Sequence, residues 1–564
     1  MFSAGVVSIL TEVFVSHMKN RLSFIISQAP YLKYIILFAF VFLYFLILQG
    51  YPSFADPDSF YHAKMAELIS QNGIVFDFPY LQFTVLNNYF ADHHFLYHIL
   101  LIPFVTILNP LVGLKLATIC FATLAILTFY WLLNRLKIKG AIIYTLILLT
   151  ANPFIFRLNL AKAQGLALIA LFVGLYLIIQ RRYVLLSLLS FLFVWLYGGW
   201  PLILVITFIF VFCSYLSSVK SGFVKRTKPK SQILNPKQIP NSKSQILKFF
   251  VNRMNHKRLH LQNIKLLLSV VGGLSAGLIF NPYFPKNLLF YWQQIIQIAV
   301  VNYQKIIGVG GEWYPYNFFH LIAASSLTFI IFIIALTIFF LHIRKKSVIS
   351  ITTLILSLLF LGLTLKSRRN VEYFIPFAIL FSAISINQFI SSKVVKQITQ
   401  DFKKLLLQKK YLLVGLIIPI VLLPYIVFRD VKRVYIDHHK NFSFTQYQDA
   451  SNWLNQNTTP KSIVLHSDWD EFPILFYHNT NNYYIVGLDP TFMYNYNKDL
   501  YWKWYNITMG QEKEFLYQQI KNDFKSEYVF IEHTTHQLLD RNLSNNFYFE
   551  EVYRDQSTKI YKVN

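Results

Sequence analysis

Acidic side chains are scarce in this chain: 26 Asp and Glu in 564 residues, against 52 Lys and Arg. Charge of either sign is thin, at 14% of positions, while 55% are hydrophobic. So few charges cannot cover a soluble surface, which excludes an ordinary globular protein. Cysteine is nearly missing. The two present, Cys120 and Cys213, each lie inside an apolar run, which excludes a disulfide framework. Acids are rarest over residues 1–430, with 10 against 39 Lys and Arg, and recover to 16 against 13 over 431–564. The net charge of +26 therefore belongs to the apolar part and not to a folded basic surface, which argues against a nucleic-acid partner.

What fills 1–430 is a series of apolar runs near twenty residues long, which predicts an α-helical polytopic membrane protein with about eleven transmembrane helices. The runs fall at 34–48, 112–133, 141–156, 166–180, two within 184–216, 266–280, 318–342, 349–364, 372–388 and 411–428. Residues 1–30 read as an amphipathic interfacial segment, not a removed signal peptide. The basic loop 217–265 has twelve Lys and Arg, no acid, and the repeated piece KSQIL, so it is expected on the cytoplasmic side with the N-terminus. That orientation makes 51–110 the first outer loop. It then holds Asp56, Asp58, Glu67, Asp77 and Asp92, with Glu312 in a later outer loop, so the outer face carries the chemistry. From 431 to 564 apolar runs cease and strand-like pieces (SIVLHSD, NYYIVGL, EYVFIEH, KIYKV) alternate with helical ones, which predicts an exterior α/β domain.

The stretch ADPDSFYHAKMA sets Asp56, Asp58 and His62 at a membrane edge, where carboxylates are costly to hold dry and cheap to hold around a cation. Its bland alternative is a turn and helix start at Asp56-Pro57-Asp58. Asp92, His93 and His94 follow in the same loop. Together with Asp56 they offer oxygen and nitrogen ligands for one divalent cation, Mg²⁺ or Mn²⁺. Arg157 and Lys162, and later Arg368 and Arg369, bring the opposite sign to the same face, as a phosphate needs. Trp195, Tyr197, Trp200 and Trp313 read as an aromatic belt.

These residues resemble a family. DPDSFYHA resembles the first-outer-loop motif of oligosaccharyltransferase catalytic subunits, with Asp56 at the metal-binding position. VGGEWYPY resembles the segment with their catalytic-loop glutamate, here Glu312. SRRNVEYFIPF resembles their late arginine segment, which implies Arg368 or Arg369 against a lipid phosphate. LHSDWDEF resembles their acceptor-recognition signature, with Trp469 and Asp470 in its middle. The second acidic motif of that family has no counterpart here: the loop after Arg157 reads LAKAQG.

The resemblance implies the broader class, a GT-C-like membrane glycosyltransferase that is similar to oligosaccharyltransferases and inverts at the sugar. It would pass a sugar or glycan from a polyprenyl-phosphate or -diphosphate donor to a protein or glycan acceptor, in a prokaryotic plasma membrane. Asp58 or Asp56 would act as base or metal ligand, and Asp56 is expected to matter most. His62, Arg157, Lys162, Arg368, Arg369, Trp469 and Asp470 would hold the substrates. Two other readings are a transporter or flippase for a lipid-linked substrate, which would want charges at the midplane of its spans, and an inactive scaffold.

Overall fold

The computed structural model describes residues 31–226, 242–342, 346–391, 411–438 and 442–564. The interfacial segment 1–30, the middle of the basic loop at 227–241 and the lysine-rich 393–410 lie outside the described residues.

Among the described residues five helices are long and apolar enough to cross a membrane: Pro110–Arg135, Pro201–Ser218, Leu259–Ile279, Val348–Lys366 and Arg368–Ile390. Two bent pairs raise the number to seven. Ala141–Leu148 turns by 74° into Asn152–Asn159, and Phe318–Ala324 by 100° into Ser326–Leu341. This is fewer than the eleven spans expected. Leu32–Leu48, Gln164–Ile179 and Tyr183–Leu196 are apolar but only 17, 16 and 14 residues long. At 1.5 Å rise per residue they reach about 21–26 Å, so length alone neither counts nor excludes them as spans of a core of about 30 Å. Hydropathy sees an apolar run; it does not see where the helix breaks. The eleventh run falls in the Tyr411–His438 helix, which passes unbroken through the expected domain boundary at 430 and 431.

The segment 51–110 is mostly structured. Asp58–Asn72 and Phe95–Ile107 are helices, the latter with Pro103 inside it. Residues beyond 442 build a five-stranded sheet in the order β4-β3-β5-β7-β6: β3 is Ile463–His466, β4 Tyr483–Tyr484, β5 Tyr528–Glu532, β6 Phe549–Arg554 and β7 Thr558–Val563. β3 runs parallel to β4 and β5, while β5–β7 and β7–β6 pair antiparallel. The central strands IVLH and YVFIE are apolar almost throughout because helices or loops cover both of their faces.

Three devices lock the 51–110 segment onto residues 442–564. β1 (Ser53–Phe54) pairs antiparallel with β2 (Phe442–Ser443). Residues 80–83 run along β4, with Gln82 N–H donating to Tyr484 O at 2.8 Å and Tyr484 N–H to Tyr80 O at 2.7 Å. The Asp58–Asn72 helix buries Phe60, Tyr61 and Met65 against the Phe472–His478 helix, where Phe60 meets Tyr477 and Tyr61 meets Phe476 with ring centres 5.7 and 6.1 Å apart. Each such aromatic contributes about 2 kcal/mol of burial. The start of the Asp58–Asn72 helix is thereby held between the helices and the sheet.

Candidate active site

A cavity of about 750 Å³ opens where these parts meet. Its size suits a substrate headgroup.

Asp56 and Asp58 enter from the turn that begins the Asp58–Asn72 helix. The Asp58 N–H donates to Asp56 Oδ1 at 2.9 Å, so the helix-start reading of Asp-Pro-Asp is also correct. The free side of both acids faces Lys162, whose ammonium stands 2.8 Å from Asp56 Oδ2 and 2.8 Å from Asp58 Oδ2. Lys162 reaches them from the loop after the bent pair. Pro153 begins the Asn152–Asn159 helix after the bend. Gln49, at the end of the first helix, donates to Asn159 O at 2.7 Å and pins the helix end, and Lys115 donates in turn to Gln49 O at 3.0 Å. Burial pushes the Asp58 carboxyl up to about 6, against the pull of Lys162. For Lys162 burial works downward, but Asp56 and Asp58 outweigh it and raise the ammonium above its ordinary value.

Beside this group lies a second cluster. The Arg157 guanidinium bonds Glu312 through Nη1 and Glu372 through Nε at 3.0 Å. Arg369 stands 3.3 Å from Glu312 Oε1, donates to the Tyr197 hydroxyl at 3.1 Å and lies over the Trp313 ring at 4.6 Å. The Tyr197 hydroxyl donates to Glu372 Oε1 at 3.3 Å. Glu312 sits on a tight turn, Gly311–Trp313, tied down by Ser367 donating to Glu312 O at 2.9 Å. Arg157 and Arg369 hold the Glu312 carboxyl well below the usual range, overcoming the burial that would raise it. Arg157 Nη2 is buried without a hydrogen-bond partner among the described residues. Arg157 also lines the cavity, so an anionic ligand there could satisfy this donor.

The sheet side adds Trp469, Asp470 and Asp489. Gly487 makes room for this approach, since a Cβ there would meet the Phe472 ring at 2.4 Å. Burial pushes Asp470 up to about 8 and Asp489 up to about 6.

Of the residues expected from sequence, Asp56, Asp58, His62, His93, His94 and Arg157 line this one cavity, as do Lys162, Glu312, Arg368, Arg369, Trp469 and Asp470. Asp92 does not. Its Oδ2 accepts from His98 Nδ1–H at 2.6 Å, His98 Nε2 accepts from His62 Nδ1–H at 2.8 Å, and its Oδ1 takes the His94 N–H at 3.0 Å. Asp92 thus holds a histidine chain in place and has no oxygen left for the cavity. The expected metal set, Asp56, Asp92, His93 and His94, is not assembled as such. Among the described residues no group of three His, Cys, Asp or Glu stands so as to hold one ion. Between Asp56 and Asp58 the position is taken by an ammonium, so the donor set does not fit a divalent cation, which wants about six oxygens. Burial keeps His93 and His94 neutral, His94 at about 3.

Sequence reasoning missed Glu372 and misassigned Tyr197. Tyr197 and Trp313 are buried, at 4% and 6% exposure, and belong to the charge cluster, not an aromatic belt. Glu372 had a signal: an acid at the start of an apolar run, three residues after Arg369, must find a partner.

No family model and no curated protein matches the chain. Solved structures resemble it. The archaeal oligosaccharyltransferase AglB from Archaeoglobus fulgidus, in complex with an inhibitory peptide and a dolichol-phosphate, is 14% identical with a TM-score of 0.60, over 95% of this chain and 75% of its own. ArnT from Cupriavidus metallidurans, bound to undecaprenyl phosphate, is 12% identical with a TM-score of 0.52, over 94% of this chain and 98% of its own. The arabinofuranosyltransferase AftD from Mycobacteria is 10% identical with a TM-score of 0.55, over 95% of this chain and 40% of its own. All three are GT-C-fold glycosyltransferases, and this chain has that polytopic membrane fold. At these identities the likeness carries architecture alone.

Proposed function

We propose that the chain is a membrane glycosyltransferase that takes a sugar or glycan from a polyprenyl-phosphate or -diphosphate donor to an acceptor at the outer face of a prokaryotic plasma membrane. The observation that carries this reading is the unpartnered Arg157 Nη2 beside the Asp56–Asp58–Lys162 group in one cavity. AglB and ArnT were solved with polyprenyl phosphates, which supports the donor class.

The donor phosphate would sit against Arg157 and Lys162, with Arg369 and the exposed Arg368 behind it. Asp58 is the better placed base. Asp56 spends both oxygens, one on a backbone N–H and one on Lys162, while Asp58 Oδ1 has no hydrogen-bond partner among the described residues. In the transfer an acceptor hydroxyl or amide attacks the anomeric carbon and gives its proton to Asp58. The bond from that carbon to the phosphate oxygen breaks, and the phosphate leaves with the electron pair. On the helical wall of the cavity, apart from Asp470 and Asp489 on the sheet side, the charges are four cations (Lys162, Arg157, Arg368, Arg369) and four acids (Asp56, Asp58, Glu312, Glu372). Neutralising Asp58 leaves this wall at a net positive charge as negative charge grows on the leaving phosphate. Residues 431–564, as an exterior domain, would present Trp469 and Asp470 to the acceptor, a protein or glycan; attack from the face opposite the phosphate inverts the sugar.

The test is transfer from a lipid-linked sugar pool by purified protein in nanodiscs. Wild type should transfer, and Asp58→Asn should not while still binding lipid phosphate. Transport of intact donor without transfer, or equal activity of Asp58→Asn, would replace this reading with a flippase or a scaffold.

A further inference from the structure

Lys162 stands where a carboxylate pair would otherwise need a metal. Its side chain is 11% exposed, those of Asp56 and Asp58 are 21% and 26%, and its Nζ lies 2.8 Å from both. An ammonium has three N–H donors, and the two acids use two of them. Two carboxylates this close repel, so either one of them takes up a proton or a cation sits between them. The chain supplies that cation covalently. Lys162 cannot drift away, because its loop is fixed by the Lys115–Gln49–Asn159 chain of hydrogen bonds and by the Lys162 N–H donating to Leu160 O at 2.8 Å. A divalent ion would have to displace it and would find Asp56 Oδ1 already committed to the Asp58 backbone.

We propose that Lys162 is the permanent cation of this site: it bridges Asp56 and Asp58, offers its third N–H to the donor phosphate, and makes binding and transfer independent of divalent metal. The phosphate part of this inference rests on the function proposed above; the cation part does not. A single charge suffices because Arg157 and Arg369 stand in the same cavity and share the phosphate. The free Nη2 of Arg157 gives the phosphate one directed contact, and the ammonium, a point charge, fixes the two acids.

Two titrations on protein in nanodiscs test it. In the first, Mn²⁺ is followed by electron paramagnetic resonance. Wild type should leave Mn²⁺ free up to about 0.1 mM, a concentration at which ordinary carboxylate sites fill. Lys162→Asp, which removes the ammonium and adds a carboxylate, should bind one Mn²⁺ at least about tenfold more tightly than wild type. In the second, undecaprenyl phosphate is titrated with and without EDTA. Wild-type affinity should be indifferent to EDTA, Lys162→Met should weaken it on the order of tenfold, and Lys162→Arg should retain most of it, which separates lost charge from lost fold. One Mn²⁺ bound by wild type and lost in Asp56→Asn would overturn the cation assignment, as would lipid binding abolished by EDTA. If no variant binds the lipid phosphate but Mn²⁺ behaves as stated, the functional reading and the phosphate contact fail while the built-in cation stands.

Discussion

On the helical wall of the cavity every carboxylate has a cation beside it: Asp56 and Asp58 share Lys162, and Glu312 and Glu372 share Arg157. On the sheet wall Asp470 and Asp489 form no ion pair with Lys or Arg among the described residues, nor does Glu471, which is buried next to Asp470 outside the lining and has only His466 within 3.6 Å. Both walls are buried, so the difference lies in the partners. Pairing keeps Glu312 ionised against its burial, whereas Asp470 and Glu471, without it, are pushed up to about 8. The helical wall therefore carries fixed charge, as a phosphate site needs. On the sheet wall Asp470 is largely protonated at neutral pH and can donate a hydrogen bond to a neutral, hydroxyl-rich or amide acceptor, while Asp489, pushed up only to about 6, stays mostly ionised.

The sharpest way to break this comparison is to remove the one helical-wall acid with a free oxygen. Asp58→Asn is expected to cut transfer by about 10² or more. It should not unfold the protein, because burial already disfavours the ionised form. Wild-type activity should fall as pH drops through about 6, where Asp58 takes up a proton, and a profile flat down to pH 5 would exclude it as the base.

Next in size is the phosphate contact. Arg157→Gln should weaken undecaprenyl-phosphate binding on the order of tenfold, and Asp470→Asn should not change it. An equal loss in both would mean that the two walls do not divide their work.

How far the sequence already showed this division is instructive. The acids of 51–110 and the arginines at 368 and 369 stood out because charged residues flanking apolar runs are rare and must find partners, whereas Trp469-Asp470 stood out only through the family resemblance; all but Glu67, Asp77 and Asp92 line the cavity. Which partner each would choose was not legible. Lys162 and Arg157 both read as phosphate cations, yet each is anchored by acids from segments about a hundred or more residues away. Asp92 sits next to two histidines in sequence, but a third, His98, one helical turn and a half further on, claims its carboxylate. The bends were not legible: the 74° turn before Pro153 precedes Arg157 and Lys162 on their way to the cavity, and no hydropathy window marks it.

A smaller effect sharpens the sheet wall. Asp470 and Glu471 have folded values near 8, above the roughly 4 of an unfolded chain. The folded state then binds more protons between those limits, so for these groups stability is greatest below about pH 4, declines as pH rises to about 8, and levels off above it, where both states are ionised. Asp470→Asn with Glu471→Gln should flatten that decline in thermal unfolding between pH 6 and 9. An unchanged slope would show that these acids are not held neutral. The smallest readout is topological. A cysteine at Lys137 should label only after permeabilisation and one at Asn545 without it; labelling of both from one side would remove the outer-face placement.

The central claim is that one cavity receives a lipid phosphate on its helical wall. A cryo-electron microscopy structure with undecaprenyl phosphate tests it most directly. The account predicts the phosphate within about 3 Å of Arg157 Nη2 and Lys162 Nζ, with the lipid chain leaving between the helices. Phosphate density on the sheet wall, or outside the cavity altogether, would contradict it.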